Sequence, residues 1–249
     1  MRIADSKKRQ FTIRNPKSEI PSAGQRTRRL VVTIDGPAGV GKSTVAQLLA
    51  KRLRLLYLDT GATYRALAYQ ALSRGVDPWN ERRLIRLARS LRLTLRQSAT
   101  DGIQVMLNGR EVTRRIRTEE VTDAAAAVAQ HPRVRAAMVR LQRRLAGSRA
   151  CVVEGRDTGS VVFPTARYKF FLTADVRVRA RRRQMELRSL QARVPSLSVI
   201  ARQLKERDGL DRRRTTGPLV KPPKAIAMDT SYLNAHEVVQ RMLRYLPSC

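Results

Sequence analysis

Gly36-Pro37-Ala38-Gly39-Val40-Gly41-Lys42-Ser43-Thr44 follows the apolar run Leu30-Val31-Val32-Thr33-Ile34 and leads into Val45-Ala46-Gln47-Leu48-Leu49-Ala50. Gly36 and Gly41, with four residues between them, then Lys42 and Ser43, complete the Walker A pattern in a setting of strand, loop and helix. Glycine lets backbone N–H groups curl around a phosphate. A helix starting near Lys42 turns its positive end toward the same anion. In this pattern Lys42 reaches the β- and γ-phosphates of a nucleotide and the Ser43 hydroxyl ligates Mg2+. The complete octamer in its required context predicts a nucleotide phosphate site rather than a chance glycine turn.

Composition bounds what surrounds that loop. At 249 residues, 42% of them apolar, the chain can bury a core, as one large α/β domain or a core with an insertion. Aromatic residues are only 4%, so Leu, Val, Ala and Ile must fill it. Fifty-one Lys and Arg against 20 Asp and Glu give a formal charge of +31. That excess fits incidental nucleic-acid binding, and equally a protein that handles polyphosphates with arginine. Cys151 and Cys249 lie far apart and suggest neither a metal motif nor a disulfide framework; Cys151 opens an apolar run and is expected to be buried. No apolar stretch has the length of a membrane span and no signal-peptide core is present, so the chain reads as soluble and cytoplasmic. Nothing calls for an obligate protein partner or a membrane.

Residues 1–29 lack periodicity and read as a basic, disordered arm. From there a strand at 30–34, the loop, a helix to Leu53, a strand at 55–58 and a helix to Ser73 form a βαβ start, which predicts a parallel sheet. A short helix spans Glu81 to Ser90. The period then changes: Leu91, Leu93 and Leu95 alternate with polar residues, as do Ile103, Val105 and Leu107 after an Asp101-Gly102 turn. With Asn108-Gly109 and a third strand at 111–113, these predict a small antiparallel sheet in an inserted subdomain. Helices are expected at 117–129, broken by Pro132, and at 134–146. Strands at 151–153, 168–172 and 225–228 complete five parallel candidates. Helices are expected at 175–190, from Pro195 to near Glu206, and at 235–246, with a polar run at 207–215 between the last two.

Ligands of such sheets bind outside the C-terminal ends of the strands. Those ends carry the phosphate loop, Asp59, Glu154-Gly155-Arg156-Asp157, Asp175 and Asp229. Asp175 and Asp229 read equally well as helix caps or surface ion pairs, whereas Arg156 and Asp157 follow Gly155 directly at a central strand end. Arg207, Arg212, Arg213 and Arg214 around Gly209 suit a lid: their planar forks hold phosphate oxygens in pairs, and closure excludes water.

At this point the chain resembles the bacterial-type cytidylate kinases of the nucleoside monophosphate kinase family. The motifs are Ile34–Thr44, Leu58-Asp59-Thr60-Gly61-Ala62-Thr63-Tyr64-Arg65, Ile116–Val121, Pro132-Arg133-Val134-Arg135, Glu154–Gly159, Val161-Val162-Phe163-Pro164 and Lys205-Glu206-Arg207-Asp208, in the family's order over residues 30–246. The resemblance implies an α/β P-loop kinase fold: a five-stranded parallel sheet with helices on both faces, an inserted antiparallel substrate subdomain and a lid. Its divisions fall at a kinase domain of 30–249, a monophosphate-binding insertion of 81–130 and a lid of 205–216. It implies phosphoryl transfer from ATP, with Mg2+, to CMP or dCMP. Thr60 and Tyr64 then lie at the acceptor and Arg65 on its phosphate. Arg135 and Asp157 recognise cytosine, Arg156 and Arg207 hold phosphates, and Asp211 bonds the acceptor ribose. Arg214 bridges donor and acceptor phosphates, Lys42 supports the transferred group and Ser43 binds the metal. Gly36, Pro37, Ala38, Gly39, Val40, Gly41 and Thr44 complete the donor loop. No dedicated general base is implied, because the acceptor is already an anionic phosphate.

Three positions depart from the family pattern. Ala126 stands where serine is common, removing a hydroxyl from base recognition; Glu154 replaces aspartate; Thr60 replaces serine and keeps the hydroxyl. The competing readings are a kinase for UMP or AMP and a P-loop nucleic-acid-binding protein. Against the last, the chain has no RNP-type aromatic motif, zinc pattern or recognition-helix signature.

Overall fold

The computed structural model describes residues 29–97, 103–189 and 194–247. The basic arm up to residue 28 and the Asp101-Gly102 turn lie outside the described residues. Five parallel strands, β1 (Val31–Asp35), β2 (Leu56–Asp59), β6 (Cys151–Gly155), β7 (Tyr168–Thr173) and β8 (Ile226–Asp229), pair in the order β2-β6-β1-β7-β8. Three more, β3 (Leu93–Gln97), β4 (Ile103–Leu107) and β5 (Arg110–Glu111), form a separate antiparallel sheet. The two-residue β5 is shorter than the third strand expected from the sequence.

Alternation along β6 shows that both faces of the large sheet are covered. Val152 belongs to one apolar cluster with Val32 and Ile34 of β1, while Cys151 and Val153 belong to another with Leu58. Such strands are buried on both faces; β1 and β6 are, and both are mainly apolar until the polar Asp35 and Glu154 at their C-terminal ends. Helix α1 (Lys42–Leu53) packs on β6 and on α8 (Ala235–Leu243). Helix α2 (Thr60–Leu72) is the pivot of the larger cluster. Its buried Ala62, Ala66, Ala68 and Ala71 have small side chains that permit close packing against α4 (Glu119–Val128). Leu84 of α3 (Glu81–Ser90), Ile103, Val105 and Leu107 of β4, and Val121 of α4 join the same buried cluster as the sheet. The antiparallel sheet is thus docked by one face rather than carrying a core of its own.

Two expectations are corrected. The helix expected from Val134 starts two residues earlier, with Pro132 as the first residue of α5 (Pro132–Ala146) and His131 at the N-cap. Proline lacks only the N–H that a first helical residue would leave unpaired. Helix α7 (Leu197–Arg212) does not end near Glu206 but runs through Gly209. Asp208 inside it pairs with Arg179 of α6 (Val176–Arg188) at 2.7 Å, both buried, and this contact outweighs the weak helix propensity of one glycine. No described helix is long and apolar enough to cross a membrane.

Candidate active site

The phosphate loop is held from outside. Arg179 Nη1 donates to Ala38 O at 3.1 Å, and Arg182 donates to Val40 O at 3.4 Å and to Thr230 O at 2.6 Å. Lys42 Nζ donates to Pro37 O at 2.6 Å. Gly36 has φ 150°, and a Cβ there would strike the carbonyl oxygen of Leu172 on β7, so only glycine lets the chain leave β1 at this point. With three loop carbonyls engaged, Ala38 to Thr44 line a cleft of about 710 Å³ over the C-terminal ends of β1, β2 and β6.

The same cleft takes in every acceptor-side residue singled out from the sequence: Thr60, Tyr64, Arg65, Arg135, Arg156, Asp157, Arg207, Asp211 and Arg214. Helix α2 supplies the first three. Asp59 caps that helix through the Ala62 amide (2.9 Å) and holds Arg65 at 2.8 Å. The Thr60 hydroxyl donates to Glu154 O at 2.6 Å and so ties α2 to β6. Asp157 forms a buried ion pair with Arg135 from α5, while Arg135 also donates to Ala129 O at 3.2 Å. Arg156 Nε meets Asp211 at 2.8 Å, and Arg214 pairs with the other oxygen of the same carboxylate. Arg207 and Asp211, four residues apart, share a face because α7 stays helical; Arg214 follows just beyond the helix C-cap, and Arg212 and Arg213 are exposed. Asp175 and Asp229 are exposed: Asp175 caps α6 through the Arg177 amide, and Asp229 accepts from the Ser231 amide and hydroxyl in the turn after β8.

Charge is concentrated and short of counter-charge. Burial, then the neighbouring Arg156, pushes the Lys42 ammonium down to about 7, against the pull of Glu154, Asp35 and Asp211. Burial, then Arg156, pushes Arg207 down to about 10. Burial raises the Glu154 carboxyl, with Asp59 adding to it. Burial alone would raise Asp211 too, but Arg156 and Arg214 hold it below its ordinary value. The Nε atoms of Arg65 and Arg214 are buried without a partner. Lys42, Arg65, Arg135, Arg156, Arg207 and Arg214 all line one cleft, and such a set of cations fits a ligand with several anionic oxygens.

The Ser43 hydroxyl stands near enough to the Glu154 carboxylate to work against its rise, and that carboxylate accepts from Tyr57. This oxygen donor set suits a hard divalent cation. Among the described residues no group of three His, Cys, Asp or Glu could cage a metal, so such an ion would draw its other ligands from phosphates and water.

Several contributors were not legible beforehand. Asp35 accepts from Thr158 and Gly159 and fixes the segment after Arg156 and Asp157. Gly217, at φ 60°, lies against the Arg135–Asp157 pair, and a Cβ there would strike both. Thr122, Ala125, Ala126 and Ala129 of α4 and its C-terminal end form one wall, while Arg182, Leu233 and Val238 extend the far end. The spacing of 122, 125, 126 and 129 was the available signal for that wall.

The model of the cytidylate kinase family matches residues 32–248. A cytidylate kinase of Oceanobacillus iheyensis is 42% identical over 217 residues, 87% of this chain and 93% of that protein. A cytidylate kinase of Geobacillus kaustophilus is 47% identical over 217 residues, 87% of this chain and 96% of its own length. A bifunctional pantoate ligase/cytidylate kinase of Synechococcus sp. (strain JA-3-3Ab) is 44% identical over 230 residues, 92% of this chain but 42% of that longer protein. The matched span runs from β1 through the antiparallel insertion to the end of α8, taking in the whole cleft, and the chain belongs to the cytidylate kinase family.

Proposed function

We propose that the protein transfers the γ-phosphoryl group of ATP to CMP or dCMP, giving ADP and CDP or dCDP, with Mg2+ as the accompanying ion. The observation that carries this reading is that the Walker loop and the buried Arg135–Asp157 pair line one cleft. Asp157 gives one oxygen to Arg135 and keeps another acceptor for the exocyclic amine of cytosine; uracil would present a carbonyl oxygen there instead. The Tyr64 ring lies 5.6 Å from the Arg135 guanidinium and provides a flat wall beside the pair.

In the reaction an oxygen of the acceptor phosphate attacks the γ-phosphorus of ATP, and the bond from that phosphorus to the β–γ bridging oxygen breaks. The attacking oxygen is already anionic, so no base removes a proton. Lys42, Arg156, Arg207 and Arg214 would neutralise charge on the transferred group and leaving phosphate, and Arg65 would hold the acceptor phosphate. Ser43 would hold Mg2+, which neutralises charge on the donor phosphates. Arg156 and Arg214 would exchange part of their pairing with Asp211 for phosphate oxygens, freeing that carboxylate to accept from the acceptor sugar. Both nucleotides are cytoplasmic metabolites, which supports the cytoplasm as the place of action.

The test is a coupled phosphotransfer assay with ATP and Mg2+ against CMP, dCMP, UMP, AMP and GMP. The highest kcat/KM is expected with CMP or dCMP; equal or greater efficiency with AMP or UMP would overturn the assignment.

A further inference from the structure

Between residues 82 and 117 the chain carries ten arginines, no lysine, and only Asp101 and Glu111 as acids. All ten arginines are exposed, and among the described residues none pairs with a carboxylate. Only Arg117 lines the catalytic cleft. On α3, Arg82, Arg86 and Arg89 follow one another at spacings of four and three and so share a face. Unpaired like charges at this density repel one another, and an anionic chain laid across them would relieve that repulsion.

A second observation lies at the start of the same helix. Trp79, the only tryptophan of the chain, is 64% exposed. It is not loose. Its backbone N–H donates to Asp77 Oδ1 at 2.9 Å, and its ring meets His131 edge-on, centroids 6.0 Å apart at 77°. His131 is itself held 3.0 Å from Pro78 O. The nearby carboxylates of Asp77 and Glu81 are engaged by the amides of Trp79 and Arg133. A fixed indole thus presents much of its surface to solvent at the edge of an arginine face, forgoing the burial that large aromatic side chains usually gain.

We propose that this outer face of the insertion binds single-stranded nucleic acid, with phosphates on the α3 arginines and a base stacked on Trp79. Single strands are held by this combination of a cationic track and an aromatic platform. Arginine suits both parts, since its planar fork takes two phosphate oxygens and its face stacks. The exposed side of α3 lacks the large apolar residues with which an amphipathic helix enters a lipid surface.

The full chain is titrated with single-stranded RNA and DNA oligonucleotides of about a dozen nucleotides, with tryptophan fluorescence reporting on Trp79 alone. Quenching is expected, with affinity falling steeply as salt rises. Followed by anisotropy of a labelled strand, Trp79→Ala is expected to weaken binding at least about fivefold. Arg82→Glu, Arg86→Glu and Arg89→Glu together are expected to weaken it at least about tenfold. Both proteins keep their CMP phosphorylation, which also shows that they fold; Arg86→Glu alone serves if the triple variant does not. Heparin, which carries charge without bases, should bind without quenching. Unchanged affinity in these variants would overturn the proposal and place the contact elsewhere. Binding to anionic lipid vesicles but not to oligonucleotides, or equal behaviour of heparin and nucleic acid, would also overturn it.

Discussion

The carboxylate of Asp35 accepts the Thr158 amide at 2.7 Å and the Thr158 hydroxyl at 2.8 Å, across 123 positions of sequence. A third bond comes from the Gly159 amide at 2.8 Å. Asp35 is the last residue of β1, next to Gly36 of the phosphate loop, and Thr158 directly follows Arg156 and Asp157. One buried side chain therefore locks the donor loop to the segment proposed to read the acceptor. Burial raises the Asp35 carboxyl, and these donors work against that rise.

Asp35→Asn keeps the size of the side chain but turns an NH2 group toward N–H donors, leaving buried groups unpaired. The expected result is a KM for CMP raised at least about tenfold, with the KM for ATP changed less, because the loop keeps its anchors from Arg179 and Arg182. Steady-state kinetics with each substrate varied in turn checks the split.

Arg156→Ala is expected to reduce phosphotransfer at least about tenfold, a modest figure for losing a charge-assisted phosphate contact. It also leaves Asp211 with Arg214 as its remaining ion-pair partner. Wild-type turnover in this variant would remove Arg156 from the site.

Lys42 gives a pH dependence with a definite sign. With its ammonium pushed down to about 7 without nucleotide, the lysine is mostly neutral at about pH 8. A polyphosphate placed beside it favours the charged form, so ATP binding there takes up a proton, and this uptake fades once the pH falls well below 7. The same depression makes the unfolded chain the better proton binder between about 7 and the usual lysine range, so this group lets stability rise with pH across that window. Calorimetric titrations with ATP in buffers of differing ionisation enthalpy measure the uptake.

Ala126→Ser restores a hydroxyl on the α4 wall of the cleft. The ratio of kcat/KM for CMP over UMP is expected to rise about threefold to tenfold, the effect of one net hydrogen bond. An unchanged ratio would show that this wall does not face the base.

The phosphate loop was legible because its chemistry is local: the glycines, Lys42 and Ser43 act within one turn of chain. The parallel strands were legible as short apolar runs alternating with helices, and the small antiparallel sheet from periodicity, since Leu93, Leu95, Ile103, Val105 and Leu107 alternate as one-sided strands must. The extent of α7 was not. Gly209 and the surrounding arginines look like a loop until Asp208 and Asp211 meet partners on α6 and after β6, which no local pattern reveals. Asp35 was missed for the same reason, and Gly217 because its value lies in the ion pair it abuts. Asp175 and Asp229 show the converse, well placed in sequence yet used locally, one as a helix cap and the other in a turn.

The central claim is that donor and acceptor nucleotides occupy two halves of one cleft. It is tested most directly by titrating calorimetrically with a bisubstrate compound in which adenosine and cytidine are joined through their 5′ oxygens by a polyphosphate bridge. The account predicts one molecule bound per chain, displaced by ATP and by CMP alike, and weakened by Asp157→Asn at the base end and by Lys42→Met at the phosphate end. Two molecules bound per chain, or displacement by ATP but not by CMP, would contradict it.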